Sequence, residues 1–224
     1  MRILIVEDEE ALALGLKFNF EQEGYEVLLA GDGPTALKLF EDTAAPVDLI
    51  IMDLMLPGMS GYEICKAIRE QNKTIPILVL SARTLSEDRM HAFDCGTDQY
   101  MTKPFVLPEL LNRVRNLLER HKTLLAAAKV EAAEPVTQAK YEFAHFTLHP
   151  QSYEVVTGDK RHSLTTQEMQ LMKYFIDHEG EVLSRFQILE EVWDEHVDVT
   201  TRTIDNFVLR LRKLIEPDPA RPQY

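Results

Sequence analysis

Through its first half the chain alternates short apolar runs with amphipathic stretches. The apolar runs are "RILIV" (2–6), "EVLLA" (26–30), "VDLII" (47–51), "PILVL" (76–80) and "DQYMT" (98–102). Between them, "EEALALGLKFNFEQEGY" sets Leu12, Leu16 and Phe20 on one helical face and closes at Gly24. "PTALKLFED" opens with Pro34, suited to a first helical turn, and "YEICKAIREQ", "SEDRMHAFDCG" and "PELLNRVRNLLERH" follow the later runs. Five strands alternating with five helices predict an α/β domain built on a parallel sheet.

The texture changes near residue 121. "HKTLLAAAKVEAAEPVTQA" is Ala-rich, lacks aromatic residues and contains Pro135, so a last helix is expected to fray into a linker. The expected limits are 1–122 for the first domain, 123–139 for the linker and 140–224 for a second domain. That second domain begins with alternation broken at His149-Pro150 and Thr157-Gly158-Asp159, which predicts a small antiparallel meander. Three helical segments follow. The first two open on the capping boxes Thr165-x-x-Glu168 and Ser184-x-x-Gln187. The third, roughly Thr201 to Ile215, has Ile204, Val208, Leu211 and Ile215 on one expected buried face.

Charge sharpens this picture. The net charge of −13 argues against a protein coated for nucleic acid, yet residues 202–213 hold Arg202, Arg210, Arg212 and Lys213 against one acid, Asp205. Arg202, Asn206, Arg210 and Lys213 recur at helical spacing on a face away from the apolar one. Cations and an amide are the groups that bind phosphates and read major-groove edges, although such a stripe also reads as a solvated charged face. Two cysteines, Cys65 and Cys95, fit a reducing compartment and two small core residues. No run reaches the ~20 apolar residues of a membrane span, and the N-terminal run ends in acids rather than a cleavage site. A cytoplasmic protein without a membrane partner is expected.

Open parallel sheets bind ligands at the carboxyl ends of their strands. There the chain places Glu7-Asp8, Asp53, Ser81 and Lys103-Pro104. In a flavodoxin-like strand order 2-1-3-4-5, Asp8 and Asp53 face each other with Glu7 close by. Crowded carboxylates need compensation, and Mg²⁺ suits them, accepting one or two carboxylates while keeping several waters. Lys103 adds a positive point charge and Ser81 a donor hydroxyl. Together these make a phosphoryl site, in which a central carboxylate can itself accept the phosphoryl group. Taken singly, Asp53 also reads as a turn Asp, Glu7-Asp8 as first-turn acids of a helix, Ser81 as an N-cap and Lys103 as a surface lysine.

"ILIVEDEE", "DLIIMDLMLPGMSG", "ILVLSAR" and "DQYMTKPF" closely resemble the receiver domain of bacterial two-component response regulators, over residues 1 to about 120. The resemblance implies that Asp53 accepts a phosphoryl group from a sensor histidine kinase. It implies Mg²⁺, with Mn²⁺ as an alternative, on Asp8 and Asp53, with the Met55 carbonyl as a further ligand and Glu7 acting through water. Lys103 is implied to contact the phosphoryl group, with a cis peptide to Pro104. Ser81 is implied to move toward the phosphate and Tyr100 to turn inward behind it. Such a receiver catalyses only its own phosphoryl transfer and dephosphorylation, so no further enzyme activity is expected.

Residues 141–224, above all "TTRTIDNFVLRLRKLIEPD", resemble the OmpR/PhoB winged helix-turn-helix family. That implies binding of double-stranded promoter DNA through Arg202, Asn206, Arg210, Arg212 and Lys213. Phe207 and Leu209 stand where relatives often carry polar or basic groups. The segment "DEHVDVTT" matches a loop that contacts RNA polymerase in that family. Relatives continue past this point into a C-terminal β-hairpin, the wing; a chain ending at Tyr224 is expected to lack it and to bind DNA more weakly. The resemblance also implies a homodimer on phosphorylation through the fourth helix, fifth strand and fifth helix, using Arg89, Asp98, Glu109 and Arg113. Gln99 and Leu117 depart from the family's charged residues there, so more apolar contact and fewer ion pairs are expected.

Two other readings compete with a phosphorylation-switched transcription regulator. One is a receiver acting through protein partners only. The other is a Mg²⁺-dependent phosphohydrolase with an aspartate nucleophile. Against the latter, the candidate nucleophile lies on the third strand, Met55 stands two positions on, and no general acid is apparent.

Overall fold

The structure, a computed structural model, describes residues 1–42, 44, 46–131, 140–193 and 201–222. It divides into two compact units, Met1–His121 and Lys122–Tyr224.

In the first unit, β1 (Arg2–Val6), β2 (Glu26–Ala30), β3 (Leu49–Asp53), β4 (Ile77–Ser81) and β5 (Gln99–Thr102) form a parallel sheet in the order β2-β1-β3-β4-β5. The crossovers are α1 (Glu10–Gln22), α2 (Gly33–Glu41), α3 (Gly61–Gln71) and α4 (Ser86–Asp94), and α5 (Leu107–Glu131) follows β5. Residues 123–131 of the expected linker are therefore helical, and 132–139 lie outside the described residues.

Both sheet faces are covered, which is why the strands read as continuous apolar runs. Side chains alternate in direction along a strand. Ile3, Ile5, Leu49, Ile51, Leu78, Leu80 and Met101 face one way, onto Leu16 and Phe20 of α1 and Leu110, Val114 and Leu118 of α5. Leu4, Val6, Ile50, Met52 and Ile77 face the other, onto Ala36 of α2 and Ile64, Cys65 and Ile68 of α3. Both cysteines are free and buried. Ser60 caps α3 with a capping box to Glu63, and Asp32 caps α2.

His121 of α5 is buried, and its Nδ1 has no hydrogen-bond partner among the described residues. Burial holds the imidazole below its ordinary pKa; Asp48 pulls it upward and Arg69 pushes it further down. The unfolded chain therefore takes up the proton first as the pH falls below about 6.5, and receiver stability is lost over that window. His121→Gln is expected to flatten this acid loss while leaving stability near neutrality within about 1 kcal/mol. Urea midpoints at pH 5 and 7.5 check it; an unchanged pH slope would refute it.

In the second unit, β6 (Tyr141–Glu142), β7 (Thr147–His149), β8 (Glu154–Thr157) and β9 (Lys160–Ser163) form an antiparallel meander. Three helices follow: α6 (Thr166–Asp177), α7 (Arg185–Val192) and α8 (Thr201–Ile215). Both expected capping boxes form, at Thr165/Glu168 and Ser184/Gln187. On α8 the buried face is Ile204, Phe207, Leu211 and Ile215, with Val208 only half-buried. This corrects the expected face: Phe207 is a core residue, its ring edge-on to Trp193 at 5.1 Å. A cavity of about 500 Å³ lies between α6 and α8, lined by Phe146, Phe175, Leu211 and Arg212 among others.

Candidate functional site

The register of β1 against β3 pairs Val6 with Met52, so the next residues, Glu7 and Asp53, come alongside each other at the strand ends. Lys103 lies beyond β5 with the same parity as Met101, whose side chain packs on the face shared with Ile5 and Ile51. The consequence is a contact between residues far apart in the chain. The Lys103 Nζ donates to Asp53 Oδ2 at 2.5 Å and to Glu7 Oε2 at 2.7 Å. Glu7, Asp8 and Asp53 offer carboxylate oxygens within 4.8 Å of one another, with Asp8 exposed and the other two buried.

Electrostatics follow from this crowding. Burial pushes the Glu7 carboxyl above the usual range, and Lys103 pulls it back while Asp53 pushes it up. Burial alone would lower Lys103, but its hydrogen bonds to Asp53 and Glu7 outweigh that and hold the ammonium above its ordinary pKa. Three hard oxygen donors around one cation fit a divalent oxygen-seeking ion, to which Asp8 presents the accessible carboxylate.

The loop after β3 is held tightly. The Met55 N–H donates to Asp53 Oδ1 at 2.8 Å, and the Gly61 N–H donates to the Leu54 carbonyl at 3.2 Å. A β-carbon at Gly61 would run into the Asp53 carbonyl, so only glycine lets α3 start this close to the acidic residue. The Lys103-Pro104 peptide is cis. Ser81 is fully buried and accepts from the Arg83 N–H at 3.3 Å. Tyr100 lies inward and fully buried, its hydroxyl donating to the Arg83 carbonyl at 2.8 Å and hydrogen-bonded with Ser81.

Comparison with known proteins places both units. Residues 3–115 match the response regulator receiver domain, and residues 159–224 match the C-terminal domain of transcriptional regulatory proteins. The alkaline phosphatase synthesis transcriptional regulatory protein PhoP of Bacillus subtilis is 36% identical over 223 residues, covering 100% of this chain and 91% of that protein. SphR of Synechococcus elongatus is 36% identical over 230 residues, covering 100% and 86%. The crystal structure of DrrB, a Thermotoga maritima OmpR/PhoB homologue, aligns at 28% identity and a TM-score of 0.51, covering 100% of this chain and 93% of that one.

The chain belongs to the OmpR/PhoB-type response regulators.

This response regulator is a phosphorylation-dependent regulator of transcription with a DNA-binding C-terminal domain, rather than an enzyme turning over a free substrate. Among its described residues, no helix is long and apolar enough to cross a membrane.

The structure departs from several residue expectations on its α4, β5 and α5 elements. Asp98, expected on the dimer surface, is 1% exposed. Its Oδ2 accepts from Arg69 Nη2 and from the Ile77 N–H, each at 2.8 Å. Arg113 is buried and pairs within α5 to Glu109. Arg89 donates to the Thr84 carbonyl at 3.2 Å. Leu117 and Gln99, expected to replace charged residues at that surface, are buried in the receiver itself.

The DNA-binding half shows a similar pattern. Arg210, expected to face DNA, turns back: its Nη2 lies 2.7 Å from Glu168 Oε1 and its guanidinium sits 5.7 Å from the Phe207 ring centre. Arg212 is half-buried beside the cavity, Asn206 is half-buried and Lys213 is exposed. The Arg202 side chain and residues 194–200, including most of the expected polymerase loop, lie outside the described residues. Arg69 was not singled out by periodicity, and its position at i+4 from Cys65 on the buried face of α3 was the available signal.

Proposed function

We propose that Asp53 is the phosphoryl acceptor from a sensor histidine kinase. The observation that carries this is the Lys103 ammonium bridging Asp53 and Glu7 at the strand ends. An Asp53 carboxylate oxygen attacks phosphorus, a P–O bond forms and the P–N bond to the kinase imidazole breaks; the imidazole keeps the electron pair and leaves as the neutral ring after protonation. Lys103 neutralises a phosphoryl oxygen and Ser81 donates to another once the β4–α4 loop shifts. Asp8 and Asp53, with the Met55 carbonyl and Glu7 through water, would hold Mg²⁺, which supplies charge neutralisation and in-line orientation. Hydrolysis of the resulting acyl phosphate in the same site returns the receiver to its starting state.

In this reading the phosphorylated receiver pairs with a second copy through α4, β5 and α5, with Arg89 and Glu109 exchanging their present partners, the Thr84 carbonyl and Arg113, for contacts across that face. The dimer then binds promoter duplex through α8, with Arg202, Asn206, Arg212 and Lys213 contributing, and RNA polymerase is a further partner through the loop sequence "DEHVDVTT". The test uses the full chain with labelled acetyl phosphate. The expected result is hydroxylamine-labile label that needs Mg²⁺ and disappears with EDTA, together with tighter retention of duplex by the labelled chain. Label that is indifferent to EDTA, or labelled chain that retains duplex no better, counts against it.

A further inference from the structure

Among the described residues of α8, three are exposed: Asp205, Leu209 and Lys213. They stand four apart, so they form one line along the outward face of the helix. Two of the cations described on this helix are directed elsewhere, Arg210 to Glu168 and Arg212 to the rim of the cavity. Asp205 accepts from Arg185 Nε of α7 at 2.8 Å, so its carboxylate orients a cation. Lys213 sits at the end of the line. What remains at the centre is a leucine, 46% exposed. Phe186, near the start of α7, is also exposed, at 62%.

A leucine offers no hydrogen bond, so it cannot recognise guanine or adenine by their acceptor and donor edges. It gains only by covering apolar surface, and the apolar feature of the major groove is the C5-methyl group of thymine. Arg185 and Lys213 on either side supply the positive charge that phosphates require. We propose that Leu209 is a specificity-determining residue that packs on a thymine methyl, so that the sites of this regulator carry thymine opposite the centre of α8. The proposal rests on the DNA-binding reading of α8 and adds the base that it reads.

The experiment selects duplexes from a randomised pool with the phosphorylated full chain at one fixed salt concentration. Each thymine of the selected sequence is then replaced by deoxyuridine, which removes only the methyl group. The expected result is a loss of about fourfold at the thymine facing Leu209. Leu209→Ala should bind the thymine duplex about fourfold more weakly and no longer distinguish uracil from thymine. Leu209→Gln should move the selected base at that position toward adenine. Both variants should take up label at Asp53 as the unaltered chain does. If duplexes are selected and bound but uracil is tolerated everywhere, or if Leu209→Ala keeps the methyl preference, the inference is overturned and Leu209 belongs to a protein contact. If no duplex is retained even at low salt, the DNA-binding reading fails and takes the inference with it.

Discussion

Asp53→Asn is expected to end phosphoryl uptake while leaving the receiver folded. Asparagine matches the shape of aspartate and keeps the acceptor for the Met55 N–H, but its amide is not a nucleophile. The contrast that makes the result informative is Lys103→Met. That variant retains the nucleophile and loses the cation that now lies 2.5 Å from it. Its uptake should fall by about 10²–10³-fold, the scale for removing one preorganised electrostatic donor. Lys103→Met should also destabilise the receiver, because three carboxylates within 4.8 Å lose their counter-ion. Asp53→Asn relieves part of the same repulsion. Labelled acetyl phosphate with Mg²⁺, scored by hydroxylamine-labile counts, separates the three proteins. Undiminished uptake by Asp53→Asn would move the acceptor to Asp8 or another residue.

The receiver site is legible in the primary structure because two periodicities converge on it. Each apolar run ends where a polar residue must leave the sheet, and the even spacing of side chains along parallel strands puts Glu7, Asp53 and Lys103 on one side. Nothing beyond strand order and parity is needed to bring them together. Side-chain partners set by tertiary packing are a different matter. Glu168 reads as a capping-box residue and it is one, but it also takes Arg210 from α8, a pairing across 42 positions that no local rule encodes. Phe207 and Val208 differ by one residue at the border of the apolar arc of α8. A wheel fits either, and the Trp193 ring decides for Phe207. Asp98 sits in a stretch that reads as surface, because an aspartate is seldom buried without a partner and its partner, Arg69, lies 29 positions away.

That pair supplies the largest expected effect on stability. Arg69 is 5% exposed and ties the α3–β4 and α4–β5 loops of the receiver together. Its Nε donates to the Gly96 carbonyl at 2.8 Å, its Nη1 to the Ile75 carbonyl at 2.7 Å and its Nη2 to Asp98 at 2.8 Å. Asp98 in turn fixes the start of β4 through the Ile77 N–H. Arg69→Met keeps most of the stem but strands the Asp98 charge in the interior, which should cost about 3–5 kcal/mol. Asp98→Leu should cost a similar amount by stranding the guanidinium. The double variant should lose clearly less than the two singles together, because no charge is then left buried alone. The single tryptophan, Trp193, is buried in the second unit, so its fluorescence follows that unit while far-UV circular dichroism in urea follows both. The expected result is a receiver transition that moves to lower urea in Arg69→Met with the tryptophan transition unmoved. A loss below about 1 kcal/mol, or additive losses in the double variant, would show that water reaches the pair and that Asp98 is available to the surface after all.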